Sequence, residues 1–467
     1  MMECPVQGAI MERRYELRLE QMLAQAEVAP ELMQGLFDRL ETFVEPFARS
    51  LEQPEQRRHA ATYRTGLLSK LPRKSGEAIA SLHDQRRQGL QDFVGAVPWD
   101  HQLLLATLAR QVGDDLGEPD AGIVFDPSAV AKKGTTSVGV VRQWCGRLGK
   151  LENCQVGIFM AYVSRQEHAL VDTRLYLPPE WTKDRTRREE AGVPRAVKFR
   201  TRHQLALEML DECGKALPHS WVAGDDEMGR PSGFRGRFRD RAERDLWGVP
   251  SNTLVRDRDV PPPQDSGRGR SPKSPFLRLD RWRAALPEDA RTRVEVRDGA
   301  KGPLVVEVVR RRVQARTETG GTGPDELLFV TREAQSDGKF KHDSSLSNAD
   351  PVTPLKGLAR VSRAAHRVEE CFRRGKGEAG LADSQVRTWR GWHHHQTLSL
   401  VAAWFLNREA RRGKNPDPRV DDAAVATVAR GLDRGAPQGQ RVVGALSSEH
   451  SLAASQRASQ AVSPSLT

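Results

Sequence analysis

Residues 122–128, Gly-Ile-Val-Phe-Asp-Pro-Ser, constrain this chain most. A short apolar run ends in a carboxylate, Asp126. A polar stretch with Lys132, Lys133 and Gly134 follows, and a second apolar run begins at Cys154. The pattern predicts a strand with an acid at its end, a Gly-bearing turn and a second strand. An acid at the end of a central strand presents a metal ligand on a rigid element. The same Asp-Pro-Ser can equally open an ordinary turn, so the rest of the chain has to decide.

Upstream, Tyr15, Leu19, Met22 and Leu23, then Leu32, Leu36, Leu40 and Phe43, recur at helical spacing, and residues 11–115 read as helical. Arg57, Arg58, Arg64, Lys70, Arg73, Lys74, Arg86 and Arg87 make the middle of this region basic. Such helices suit phosphate contacts, which contribute affinity without reading sequence; solvated helix faces are the alternative. Pro98-Trp99-Asp100 opens a further helix over 102–112.

Downstream the period changes. Residues 153–163 and 170–177 read as a strand pair around the loop 164–168, residues 183–202 as a charged loop, and 203–213 as a helix. Residues 221–224 form a short strand that also ends in acid, Asp225-Asp226-Glu227. Three adjacent acids repel one another unless a cation or base is near, which favours a metal site. Alternatively, Asp226 or Glu227 caps a helix after Gly229. A strand pair around 246–255, a Pro/Gly/Ser/Arg linker over 261–275 and strands over 294–297, 304–316 and 326–331, with a glycine loop at 320–323, suggest an inserted β-rich subdomain.

A helix then runs over 353–375. Val368, Cys371 and Phe372 take its apolar face, leaving Glu369 and Lys376 two turns apart on one side. That pair suits a metal ligand and a phosphate contact in one site, or a mixed-charge surface helix. His393, His394 and His395 precede an apolar helix over 398–406; consecutive histidines leave a helix in different directions, so one metal does not take all three. From about residue 430 the chain is rich in Gly, Ala, Ser and Gln and reads as disordered. There is no P-loop, dinucleotide fingerprint or GxSxG elbow.

A formal net charge of +11 over 467 residues points to a polyanionic partner, nucleic acid first. Five scattered cysteines without a CxxC pair argue for reduced thiols and against a zinc knuckle. The N-terminus lacks an apolar signal core, and the 398–406 run is half a membrane span, so a cytosolic protein is expected.

Asp126, Asp225 and Glu369 now stand in order, the second gap holding the β-rich insert. Here the chain resembles the DDE transposases of bacterial insertion sequences, a group whose RNase H-like core is interrupted by a β-strand insertion. The resemblance is carried by Asp126 with the run AKKGTTSVGVVRQWCGRLGKLENCQV, by Tyr162-Val163-Ser164, by Ala223-Gly224-Asp225-Asp226-Glu227-Met228-Gly229, by Arg367-Val368-Glu369-Glu370 through Lys376, and by Val386-Arg387-Thr388-Trp389-Arg390-Gly391-Trp392.

The resemblance implies an α/β fold, a mixed RNase H-like sheet with helices. Its expected divisions are a helical DNA-binding domain (1–115), the first part of the core (116–245), the insertion (246–350), the second part with the catalytic helix (351–415) and a tail (416–467). It implies that Asp126, Asp225 and Glu369 hold two Mg²⁺ ions, with Mn²⁺ an acceptable substitute and Asp226 as a further or alternative ligand. In-line attack on a phosphodiester needs charge neutralised on both attacking and leaving oxygens, which two ions about 3.5–4 Å apart achieve. Hard carboxylate oxygens suit Mg²⁺. Lys376, and beside it Arg367, would contact DNA phosphate; Lys132, Lys133, Arg73 and Lys74 are the other expected DNA contacts.

The implied partners are DNA, as terminal inverted repeats and target, and a second copy of the chain on that DNA, with no membrane. The implied place is the bacterial cytosol, at the nucleoid. The chain departs from the family at Ser362 and Ala365, where an aromatic and an arginine often stand, and at Ser384-Gln385, where Tyr-Glu is common. Glu369 is the preferred third acid because Lys376 follows it at the family spacing. A DNA-binding protein derived from a transposase, occupying ends without cutting, is the alternative reading. A nuclease acting on RNA or hybrids rests on the fold alone.

Overall fold

The computed structural model describes residues 35–264, 273–297, 304–335 and 337–413. The helical reading of residues 11–34, the middle of the 261–275 linker and the tail from residue 430 lie outside them. Contacts divide the chain into two units. In the one built from Met1–Arg39, Leu68–Lys70 and Arg408–Thr467, the Arg39 guanidinium donates to the Glu409 carboxylate at 2.6 Å. The sheet and the candidate site belong to the other unit, Leu40–Leu67 with Leu71–Asn407; helices that run past its bounds carry their full ranges.

Helices come first: α1 (Leu36–Ala48), α2 (Pro54–Leu68), α3 (Gly76–Leu82), α4 (Arg87–Gly95) and α5 (His101–Leu116). Ser75 and Asp100 start α3 and α5 by accepting the N–H of Ala78 and Gln102 on their side chains. Next come β1 (Gly122–Ala131), β2 (Val141–Cys145), β3 (Lys150–Val163) and β4 (His168–Leu175), then α6 (Pro179–Lys183), α7 (Arg185–Glu190) and α8 (Arg202–Cys213). β5 (Trp221–Gly224), α9 (Asp226–Gly229), α10 (Ser232–Asp240) and β6 (Asp245–Gly248) complete the first part of the core. The insertion holds β7 (Leu254–Asp257), β8 (Leu277–Arg278), α11 (Leu279–Ala284), β9 (Thr292–Arg297), β10 (Leu304–Arg316), β11 (Thr322–Ala334) and β12 (Phe340–Ser347). Two long helices follow, α12 (Leu355–Glu378) and α13 (Trp389–Gly413).

The core strands lie in the order β4-β3-β1-β5-β6. β4, β3 and β1 pair antiparallel, while β1–β5 and β5–β6 are parallel. This is the mixed sheet of an RNase H-like core, as the resemblance implied. The insertion continues that sheet: β12 pairs antiparallel with β6, and β11, β10, β7 and β8 follow outward. Its own apolar centre gathers Val255, Trp282, Val313, Leu328 and Leu346. A buried fork joins it to the core, where Arg235 on α10 donates from Nε and Nη2 to the two oxygens of Glu326 on β11, at 2.8 and 3.0 Å.

Several local expectations need correction. Asp126 does not end a strand; β1 runs through Asp-Pro-Ser to Ala131, paired throughout with β3. Proline is tolerated because β5 accompanies β1 only as far as Phe125, so beyond it one edge of β1 has no described strand beside it and the missing donor costs little. The second strand begins at Lys150 rather than Cys154, and β2 precedes it. The charged 183–202 stretch contains α7, capped by the Asp184 side chain on the Arg187 N–H. β12 was missed: Phe-Lys-His-Asp-Ser-Ser-Leu-Ser has little apolar alternation, and its buried serines are held by neighbouring strands.

The three histidines lie inside α13, buried, each with its own partner. His393 Nδ1 sits 3.0 Å from the Trp389 carbonyl. His394 stacks on Trp99 with ring centroids 3.6 Å apart, and His395 lies between the Tyr63 hydroxyl at 2.7 Å and the Gly380 carbonyl at 2.9 Å. Burial pushes His394 down to about 3 and His395 to about 4, so both are neutral at physiological pH. No described helix is long and apolar enough to cross a membrane.

Candidate active site

The parallel register of β1 and β5 pairs Gly122 with Trp221 and Phe125 with Gly224. The next residues, Asp126 within β1 and Asp225 just past the end of β5, therefore stand side by side, with backbones about 5 Å apart. Asp225 is extended (φ −75°, ψ −174°) and caps α9, its Oδ1 accepting the Met228 N–H at 2.9 Å. The acid cap is thus Asp225 itself, and the helix it caps ends at Gly229 rather than following it. Gly229 is required there, since an added Cβ would lie 2.0 Å from the Gly248 carbonyl oxygen. At Gly224 a Cβ would meet the Trp247 ring at 2.5 Å.

The third acid arrives on a helix. α12 packs across β1, β3, β4 and β5, its apolar face buried through Val368, Cys371 and Phe372. Phe372 meets Phe159 of β3 edge-on at 5.1 Å. At the flank of that face lie Glu369, which is exposed, and Lys376, which is half-buried.

Electrostatics shows what these elements bring together. Burial, and then the charges of Asp225 and Glu369, hold the Asp126 carboxyl well above the usual carboxylate range, with Lys376 opposing. Asp225 is pushed up to about 6 by burial and by the neighbouring Asp226; the Met228 N–H and Arg202 restrain it. Asp226 itself is exposed. Lys376 donates to the Ser128 hydroxyl at 2.8 Å and rests 5.0 Å from the centre of the Phe372 ring. Burial and Arg147 lower its affinity for a proton, while Asp126 raises it.

The donor chemistry, three carboxylates with like-charge repulsion only partly relieved, fits a hard divalent cation. Among the described residues no three His, Cys, Asp or Glu side chains are grouped as a ready metal cage, so these acids share a field rather than a point.

The other basic residues fall into two sets. Lys133 and Arg73 are exposed. Arg367 donates to the Ser164 carbonyl at 2.8 Å, and Lys132 donates to the Ser384 carbonyl, with burial lowering it to about 8. Lys74 is only 3% exposed and donates to the Glu378 carbonyl at 2.6 Å. As placed it satisfies the C-terminus of α12 rather than facing a phosphate. Arg57, Arg58 and Arg87 are likewise engaged, with the Leu51 carbonyl, Glu55 and Glu77. Gln385 is exposed in the loop after α12.

Ser128 and Arg202, which the sequence reading did not single out, stand close to the acids, and Arg147 stands near Lys376. Ser128 was recoverable: two residues beyond Asp126, it shares a face with the acid once the segment is taken as strand. Arg202, paired with Glu227, lies at the start of a helix whose sequence gives no hint of that neighbour.

No curated protein matches the sequence. Among solved structures, a piggyBac transposase synaptic complex with hairpin DNA aligns with a TM-score of 0.38 and 10% identity, over 84% of this chain and 75% of that one. A family model described as DDE superfamily endonuclease matches residues 46–303, a span that includes Asp126 and Asp225 and ends before Glu369. That is more than half of the 467 residues, and the chain belongs to this family of endonucleases.

Proposed function

We propose that this protein is a DDE transposase that cleaves DNA at the ends of an insertion sequence and joins the freed 3′-OH ends to target DNA. The observation that carries the reading is the placement of Asp126 and Asp225 side by side on adjoining strands, with Glu369 of α12 near enough for its charge to act on Asp126. Asp126, Asp225 and Glu369, with Asp226 at the rim, are the residues that would hold Mg²⁺ or Mn²⁺. Bound there, such ions supply charge neutralisation at both oxygens of an in-line displacement.

The chain's own groups do the rest. Lys376, oriented by Ser128 and with its ammonium over the Phe372 ring, offers a positive charge to a phosphate beside the acids. Arg202 holds Glu227 next to Asp225, limiting how far the strand tip can swing. The basic balance of the chain and the exposed Lys133 and Arg73 support a DNA substrate. Because two ends must be brought together, the acting species is at least a dimer on DNA.

The test is cleavage of duplexes carrying the repeats that flank this chain's own gene, with and without Mg²⁺, by wild type and Glu369→Gln. Metal-dependent cutting that disappears in the variant is expected. Cutting that survives removes Glu369 from the site. Tight binding of those ends with no cutting replaces this reading with that of a protein which occupies ends.

Lys376→Met provides a separate check on the phosphate contact. It is expected to weaken binding evenly across DNA sequences and to lower the slope of log affinity against log salt by about 1. A slope unchanged within error in a salt titration would take Lys376 off the DNA.

A further inference from the structure

The hairpin formed by β2 and β3 presents an unusual surface. β2 is the outermost strand on its side of the sheet. Trp144 and Leu151 face each other across the two strands and are 51% and 56% exposed. In the turn between them Leu148 is 45% exposed. Trp144 is the only tryptophan among the large apolar side chains that stand exposed in the described residues. A single exposed apolar residue means little, but three at one tip call for something to cover them.

The tip is also cationic. Arg142 lies two residues before Trp144 and so on its face; Arg147 sits in the turn and Lys150 opens β3, all three exposed. Within the hairpin the one acid, Glu152, is paired with Lys150 at 3.1 Å. Gly149, at φ +61°, closes the turn in a conformation that favours glycine. This turn packs against β1, the strand that carries Asp126. Arg147 is close enough to Lys376 for the two positive charges to oppose each other.

We propose that this tip is a stacking wedge for unpaired bases of the DNA beside the scissile phosphate. Trp144, with Leu148 and Leu151, meets the base faces, while Arg142 and Arg147 hold the flanking phosphates. The proposal rests on the DNA-cutting reading above. A polyanion answers the charge of the tip, and a base face answers its apolar area; a folded protein partner would have to bring its own acids. Stacking on an aromatic side chain tolerates any base, and apolar wedges hold steps of a duplex unstacked. Placed next to the carboxylates, such a wedge would open the duplex where the backbone must be reached.

The experiment uses the full chain, as wild type, Trp144→Ala and Trp144→Phe, on two duplexes with the same ends. One is fully paired, and the other carries two mismatched pairs at the cleavage position. Trp144→Ala is expected to cut the paired duplex about tenfold more slowly or worse. It should approach the wild-type rate on the mismatched duplex, where no unstacking is needed, and Trp144→Phe should approach wild type on both. Equal rates for Trp144→Ala and wild type on both duplexes would overturn the wedge, as would an equal loss on both. A lower sedimentation mass for Trp144→Ala with cutting unchanged would also overturn it, giving the tip to a second copy of the chain. A wild type that cuts neither duplex overturns the underlying reading itself, which distinguishes that failure from failure of the wedge.

Discussion

Asp126→Asn is expected to abolish Mg²⁺-dependent DNA cleavage, by about a thousandfold or more, or ~4 kcal/mol of barrier, while raising the melting temperature of the metal-free protein at neutral pH. The two halves share one cause. The native state buries the Asp126 carboxyl and sets it near the charges of Asp225 and Glu369, with Lys376 opposing, so ionising it there is harder than in the unfolded chain. Between the ordinary carboxylate range and the raised native value, the native state keeps protons that the unfolded chain has released. Stability therefore falls as pH rises through that window. Asp225, at about 6, contributes a fall of the same sign between about pH 4 and pH 6. Asparagine removes the first contribution, so the variant's stability should depend less on pH. Added Mg²⁺ should raise the melting point of wild type more than that of the variant, because an ion that binds only the native state stabilises it by mass action. Thermal melts from pH 4 to 8, with and without Mg²⁺, check this alongside the cleavage assay. A variant that cuts normally, or one that melts below wild type at pH 7 without metal, would break the link between repulsion and function.

The second large effect concerns the support beneath Asp225. Trp247 on β6 is fully buried, its ring 4.8 Å from Phe234 and 4.9 Å from Phe238 and pressed against the hydrogen-only face of Gly224, while its Cβ lies against Gly229. Trp247→Ala leaves a cavity under the strand tip and is expected to cost about 3–5 kcal/mol of stability. Trp247→Phe is expected to cost less than about 1.5 kcal/mol, because the ring is largely replaced and the indole N–H meets no acceptor in the described structure. Denaturant midpoints of the two variants decide it. A loss below about 1 kcal/mol for Trp247→Ala would mean that the surroundings collapse into the space and that Asp225 does not depend on this packing.

Much of the core sheet was readable because its signals are local. The apolar run at 122–125, the short strand Trp221–Gly224 and the acid after each are continuous in the chain, and parallel register places the acids side by side without further information. Glu369 and Lys376 were legible as a pair because helical spacing puts positions two turns apart on one side. What failed depended on neighbours that sequence does not contain. Asp-Pro-Ser reads as a turn by composition, yet it is strand because β3 pairs with it along its whole length. With the strand cut short at Asp126, Ser128 lost its place beside the acid. Lys74 reads as a surface cation until α12 brings the Glu378 carbonyl to it across the fold. β12 was invisible because strands on both sides bury its serines, which alternate with nothing.

The pairing of β12 with β6 has one more consequence. The chain leaves the core at the end of β6 and returns along the same edge, so entry and exit of the intervening segment are hydrogen-bonded neighbours. Whole hairpins can therefore be gained or lost between them over evolutionary time without either end having to move. The number of residues separating the second and third acids is then free to drift among relatives, and a search that fixes that number will lose them. Orthologues of this chain are better sought by the two anchor points, Trp247-Gly248 before the excursion and Ser345-Leu346 after it, than by any count of what lies between.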